Sequence, residues 1–245
     1  MTLPSVPGPR SEGTSLAIMQ PYFLPYIGYF QLIAAVDVFV IYDNIKYTKK
    51  GWINRNRILS NGEAALISLP LKHGSDYLDV RDRELASTWS PDDLMGRISG
   101  AYRRAPYFEQ TGVLLERILG FEDRNLFTFI EHSIRAVCGY VGITTDFRRS
   151  SAVAIDHGLA GEEKVLALCA AIGARRYLNP IGGTSLYSRT KFLDRGVELR
   201  FLETSPFEYR QFGGEFVPSL SILDLLMFNS VAQVAETLTS RYRLI

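Results

Sequence analysis

The sequence predicts an α/β fold: a Rossmann-like, mostly parallel sheet with a helical insertion and a helical C-terminus. Three observations carry this. Short apolar, β-branched and aromatic runs at residues 16–19 and 38–42 are of the kind that form strands buried on both faces. Helical spacing lies between them, so strand, helix and strand follow within about 30 residues, the span of a βαβ unit. After a long helical stretch, strand-like and helical segments alternate again from residue 161 onward.

Taken in order, residues 1–14 are rich in Pro, Gly and Ser and predict a disordered lead-in to a single domain over 15–245. A strand at 16–20 gives way to QPYFLPYIGY, whose two prolines and glycine demand a loop. GYFQLIAAV then places Phe30, Ile33 and Ala34 on one helical side, and a strand at 38–42 ends at Asp43. The basic, aromatic stretch NIKYTKKGWINRNRI leads to a turn at Ser60-Asn61-Gly62 and a third strand at 64–70. Helical period governs 91–104, 108–119 and 124–141, with Pro106 separating the first two and Gly142 ending the third, so the helical insertion spans about 91–141. Residues 143–156 read as partly extended. A helix at 161–172, a strand at 176–178, the loop NPIGG, a helix at about 184–194 and a strand at 197–202 follow, then helices at 219–228 and 230–241. The five strands are expected to be parallel.

Composition narrows the function. Of 245 residues, 47% are apolar and 22% charged, enough to bury one large core. The 27 basic and 26 acidic residues leave a net charge of +1, which argues against a nucleic-acid partner or an anionic membrane surface. Cys138 and Cys169 do not form a metal-ligand spacing, and three scattered histidines cannot complete a zinc site. Neither a disulfide framework nor an apolar run of the ~20 residues a membrane span requires is evident, and a cytoplasmic protein is expected.

Three loops and one helix carry the candidate chemistry. The first loop leaves a strand end and enters a helix N-terminus, where Gln20, Tyr22, Tyr26 and Gly28 are candidate binding residues and Tyr29 a candidate catalytic one. The rival reading is that its aromatic residues simply pack the loop onto the sheet. The second follows Asp43. From Asn44 to Gly62 it has no acidic residue but five cations, Lys46, Lys49, Lys50, Arg55 and Arg57. Lys49, Lys50 and Arg55, with Trp52, Asn54 and Asn56, are candidates for clamping a phosphorylated ligand; a solvated charged loop is the alternative. The third loop offers Asn179, Gly182 and Gly183, and Asp224 sits on a strongly apolar helix, either buried with a partner or catalytic. Asp43 and Asp224 are the candidate catalytic carboxylates, and a nucleotide entering with Mg²⁺ would place that ion on Asp43. All three loops follow predicted parallel strands and are expected to converge on one cleft.

Two resemblances add to this. The first βαβ segment, with PYIGY opening its helix, resembles the start of HxGH-type nucleotidylyltransferases, but Tyr26 and Tyr29 stand where that motif has histidines, and tyrosine supplies no cationic imidazole. MQPYFLPYIGYFQLI, VDVFVIYDNIKYTKKGWINRNRI, YLNPIGGTSLY and FVPSLSILDLLMFNS together resemble the WbqC-like protein family of bacterial surface-polysaccharide (O-antigen) gene clusters. That resemblance implies a transferase taking a small-molecule, nucleotide-activated (amino)sugar or an acyl or aminoacyl, glycine-type substrate. The alternatives are HxGH-like nucleotidyl transfer and a non-catalytic nucleotide- or sugar-binding partner of a biosynthetic complex.

Overall fold

The computed structural model describes residues 13–75 and 77–245, so the expected lead-in lies, except for its last two residues, outside the described residues. In chain order the strands are β1 (Thr14–Met19), β2 (Val38–Ile41), β3 (Arg55–Ser60), β4 (Glu63–Ser68), β5 (Asp146–Arg149), β6 (Ala174–Pro180), β7 (Glu198–Thr204) and β8 (Tyr242–Leu244). The helices are α1 (Ile27–Ala34), α2 (Pro91–Tyr102), α3 (Phe108–Leu119), α4 (Leu126–Val141), α5 (Gly161–Ile172), α6 (Arg189–Asp194), α7 (Ile222–Phe228) and α8 (Val231–Ser240).

A six-stranded sheet runs β5-β2-β1-β6-β7-β8, parallel throughout except for β8, which pairs antiparallel with β7. Its two faces explain the uninterrupted apolar runs. Ala17, Phe39, Ile41 and Leu178 join the core that includes α1, α4 and α8, whereas Leu16, Ile18, Val38, Val40 and Tyr177 join a second core with residues of α5 and α6. A central strand with helices over both faces has no side from which to show a polar residue. From β1 the chain winds through α1 to β2 on one side; on the other side of β1 lies β6, which leads through α6 to β7. Strand order therefore reverses between β1 and β6. No helix among the described residues is long and apolar enough to cross a membrane.

The third predicted parallel strand, 64–70, is a correction: β4 pairs with β3 as a separate antiparallel hairpin. The cause is local. Asn61 and Gly62 both take left-handed φ, 52° and 81°, a two-residue turn of the type that folds a strand directly back on its neighbour. The fifth parallel strand is instead β5, within the segment read as partly extended. The helix expected at 184–194 is split into a 3-10 turn at Ile181–Leu186 and α6, which Ser188 caps. The one expected at 219–228 begins only at Ile222, because Ser219 takes φ 57° and Ser221 provides the cap.

One polar residue ties distant elements across the larger core. Gln31 is fully buried, donates to the carbonyls of Thr237 (3.2 Å) and Arg241 (2.9 Å), and accepts from the Thr204 hydroxyl (2.8 Å). Gln31→Leu would remove these three hydrogen bonds and leave the Thr204 hydroxyl without its acceptor, while the Thr237 and Arg241 carbonyls keep backbone donors from Arg241 and Ser205. It should lower the free energy of unfolding by about 1–3 kcal/mol. Urea titration reads this directly, and a loss below about 0.5 kcal/mol, the level of a neutral surface change, would contradict it.

Candidate functional site

Beyond Met19 the chain must cross the top of the sheet before α1 can begin, and neighbouring elements fasten it there. The buried Asn56 of β3 donates its amide to the carbonyls of Phe23 (3.1 Å) and Leu24 (2.8 Å), and Ser221 donates to the Leu24 carbonyl (2.7 Å). Phe23 N–H reaches Ile53 O, and Ile222 N–H reaches Pro25 O. Between these ties Leu24 is held at φ 44°, a left-handed conformation uncommon for a branched residue. The loop thereby presents Tyr22 and Tyr26 over the point where strand order reverses.

A cleft of about 450 Å³ opens there, lined by Gln20, Tyr22 and Tyr26 from the first loop, Tyr42 at the end of β2, and Asn179, Gly182 and Gly183 after β6. In open α/β sheets such a switch point is where ligands bind. Tyr22 and Tyr26 also line an adjoining pocket of about 320 Å³ with Trp52, Asn56, Arg57 and Ser219. A third pocket, about 250 Å³ and mostly apolar, begins at the other flank of Tyr26 and reaches Tyr209, Phe216 and Leu225. Burial raises the pKa of the Tyr22 and Tyr26 hydroxyls, and burial followed by Tyr187 pushes Tyr42 up to about 12. At neutral pH these hydroxyls are protonated donors. Asn179, itself buried, donates to the Tyr177 hydroxyl (2.9 Å), and a Cβ on Gly183 would collide with its Oδ1.

Gln20, Tyr22, Tyr26, Asn179, Gly182 and Gly183 thus converge, and Trp52 and Asn56 line the adjoining pocket. The remaining sequence candidates lie elsewhere. Gly28 makes room for a side chain rather than a ligand, since a Cβ there would meet the Tyr26 ring and Thr204 Oγ1. Tyr29 is buried beneath the loop, donating to the Gln20 carbonyl (2.9 Å), and burial first, then Tyr22, raises its pKa well above the ordinary 10.0. Asn54 braces the basic loop, accepting from the Tyr47 hydroxyl and donating to Leu69 O, both at 2.8 Å. Arg55 turns back on that loop, donating to Gly51 O (2.8 Å) and Lys50 O (2.5 Å). Lys49 and Lys50 are exposed on it and line neither the cleft nor the adjoining pocket.

Both candidate carboxylates are held by hydrogen bonds from neighbouring elements. Asp43 is buried; its Oδ1 accepts from Ser150 Oγ (2.7 Å) and Ser151 N (2.8 Å), its Oδ2 from the Ser151 hydroxyl. Burial alone would raise its pKa, but these hydrogen bonds outweigh it and hold the carboxylate below its ordinary range. Asp43 thus accepts three hydrogen bonds, two on Oδ1 and one on Oδ2. Among the described residues no group of three or more His, Cys, Asp or Glu could hold a metal ion. Asp224 is fully buried and accepts from the hydroxyls of Tyr102 (2.8 Å) and Tyr209 (2.6 Å) and from the Gln211 amide (2.7 Å).

Sequence reasoning counted Arg57 among the loop cations without singling it out. Its guanidinium lies 5.4 Å from the centre of the Trp52 ring and donates to Ser219 O (3.1 Å). Its buried Nε has no hydrogen-bond partner, and it has no carboxylate partner among the described residues. The available signal was the period of two along β3: Asn56 turns into the core, so Arg57 turns the other way.

The family model for the WbqC-like protein family matches residues 20–236. A Mycobacterium tuberculosis (strain ATCC 25618 / H37Rv) relative, the uncharacterized protein Rv1507c, is 30% identical over 226 residues, covering 91% of this chain and 96% of that protein.

The Asp224 environment has a pH signature. Burial raises its pKa above the ordinary 3.8, the three donors offsetting part of the rise, so the folded state holds this proton more tightly than the unfolded chain. Its contribution to stability is full below 3.8 and declines as pH rises through the elevated folded value. The stability of wild type minus that of Asp224→Asn should therefore fall in urea titrations as pH rises above 3.8 through the elevated folded value; a difference that rises with pH contradicts this assignment.

Proposed function

The chain belongs to the WbqC-like protein family, and from that premise we propose that it is a transferase that takes a nucleotide-activated amino sugar and adds a small acyl or aminoacyl, glycine-type group, in cytoplasmic surface-polysaccharide biosynthesis. The observation that carries this reading is the convergence of Gln20, Tyr22, Tyr26 and Asn179 at the switch point, beside a pocket holding Arg57 on the Trp52 ring. The tyrosine faces suit a base or sugar, and Arg57, instead of Arg55 and the exposed lysines, supplies the charged fork for phosphate. Tyrosine hydroxyls kept protonated by burial are suited to donate to the oxygen on which charge develops when an amine attacks an acyl carbonyl.

Nucleotidyl transfer of the HxGH kind is disfavoured, since Tyr29 at the second histidine position points into the core. One observation favours a non-catalytic nucleotide-sugar-binding role instead. Asp43 and Asp224 each already accept three hydrogen bonds from neighbouring protein groups, and neither lines the cleft or the adjoining pocket. Incubating the protein with CDP- or dTDP-amino sugars and candidate acyl donors, with mass spectrometry of the products, separates the two readings: acylated sugar supports the transferase, and binding without product supports the partner.

Calorimetric titration tests the phosphate assignment. Arg57→Gln should weaken binding of a CDP- or dTDP-sugar by about 10–100-fold, the loss of a charged hydrogen bond of roughly 1.5–3 kcal/mol, while Lys50→Gln should leave it within about twofold. The reverse ranking would return the clamp to the exposed loop.

A further inference from the structure

A further cavity shares no residue with the switch-point cleft. It has a volume of about 890 Å³ and opens at the β5 edge of the sheet, between α4 and the segment that follows β5. The buried Glu131 of α4 organises it. One carboxylate oxygen accepts from Arg135 Nε (3.0 Å) and Nη2 (2.8 Å); the other accepts from Arg149 Nε (2.8 Å) and Nη2 (2.7 Å). Each guanidinium also lies against a ring, Arg135 at 4.7 Å from Phe147 and Arg149 at 5.2 Å from Phe127. Both forks are thus fixed before any ligand arrives, which reduces the ordering entropy of binding.

The charges do not balance. Two arginines share one carboxylate, and Arg148, whose partner is Asp146 at 3.0 Å, adds a third cation to the lining. Tying α4 to β5 needs one arginine on Glu131; the second leaves an uncompensated positive charge facing a cavity. Among the described residues no acceptor meets Nη1 of Arg135 or of Arg149. Beside them, Phe121 and His132 stack at 4.1 Å and 5°, forming a flat platform.

We propose that this cavity is a second ligand site, taking a small phosphorylated molecule whose phosphate bridges Arg135 and Arg149 and whose remainder lies on the Phe121–His132 platform. A phosphate supplies both the negative charge and the several acceptor oxygens that the Nη1 groups of two fixed guanidiniums can share. The assignment is independent of the transferase reading.

Inorganic pyrophosphate is the probe, titrated calorimetrically at low salt. Arg135→Gln and Arg149→Gln each leave Glu131 one arginine, so the fold is retained, and each should weaken pyrophosphate binding at least tenfold. Should Arg149→Gln fail to fold, Arg149→Lys keeps a cation on Glu131 and is read instead; it too must weaken binding, because an ammonium presents no fork. Arg57→Gln, in the other pocket, should leave this binding in place. The proposal is overturned if wild type binds no pyrophosphate at millimolar concentration, if the Arg135 and Arg149 variants bind as wild type does, or if Arg57→Gln alone abolishes binding.

Discussion

β1 has water on neither side. Its central residues are buried on both faces, and β2 and β6 take its backbone groups on the two edges. A strand in that position forces chain on both sides and helices above and below, because each exposed apolar face or unpaired edge would be unfavourable. The reversal of winding between β1 and β6, and the crevice at their C-terminal ends, follow from that enclosure. So does the need for a crossing loop whose backbone leaves the sheet without losing its hydrogen bonds.

That loop is held by polar groups that chemistry would otherwise claim. Asn56 spends its amide on Phe23 and Leu24, and Ser221 its hydroxyl on Leu24. Asp43 secures the turn after β5 and Asp224 joins α2, α7 and the loop around Tyr209, while Asn54 and Arg55 secure the basic loop. A buried polar side chain must find partners, and here the partners are neighbouring loops, which fixes the position of the tyrosines and of Arg57. Of these ties, Asn56 itself lines the pocket beside the cleft, while Asp43, Asp224, Asn54 and Arg55 hold the surrounding loops from outside that lining.

Much of the sheet was legible because its signals are local and redundant: an apolar run of strand length, a helix-period segment, then another run. The antiparallel hairpin was misplaced although its Asn61-Gly62 turn was visible, because a turn is read in sequence while the sheet a strand joins is decided by distant partners. Likewise the late start of α7 depends on Ser219, whose left-handed backbone no pattern of apolar spacing reveals. For the site, attention to strand ends singled out loops from which six candidates converge on one cleft. Residue type did not separate Arg55 from Arg57, two positions apart on β3: one folds onto its own loop and the other lines a pocket. Nor did residue type reveal the hydrogen bonds that hold Asp43 and Asp224, since their donors, Ser150, Ser151, Tyr102, Tyr209 and Gln211, come from distant segments or other loops.

The two carbonyls that receive the Gln31 amide bear on how the protein is made. They lie 206 and 210 residues further along the chain. At roughly 5–20 residues per second, a ribosome needs about 10–40 s to deliver them after Gln31 has been synthesised. During that interval the first helix carries a polar amide on the side it will bury, with nothing to receive it. The N-terminal βαβ unit is therefore complete in sequence long before the carbonyls that receive its buried amide have been made.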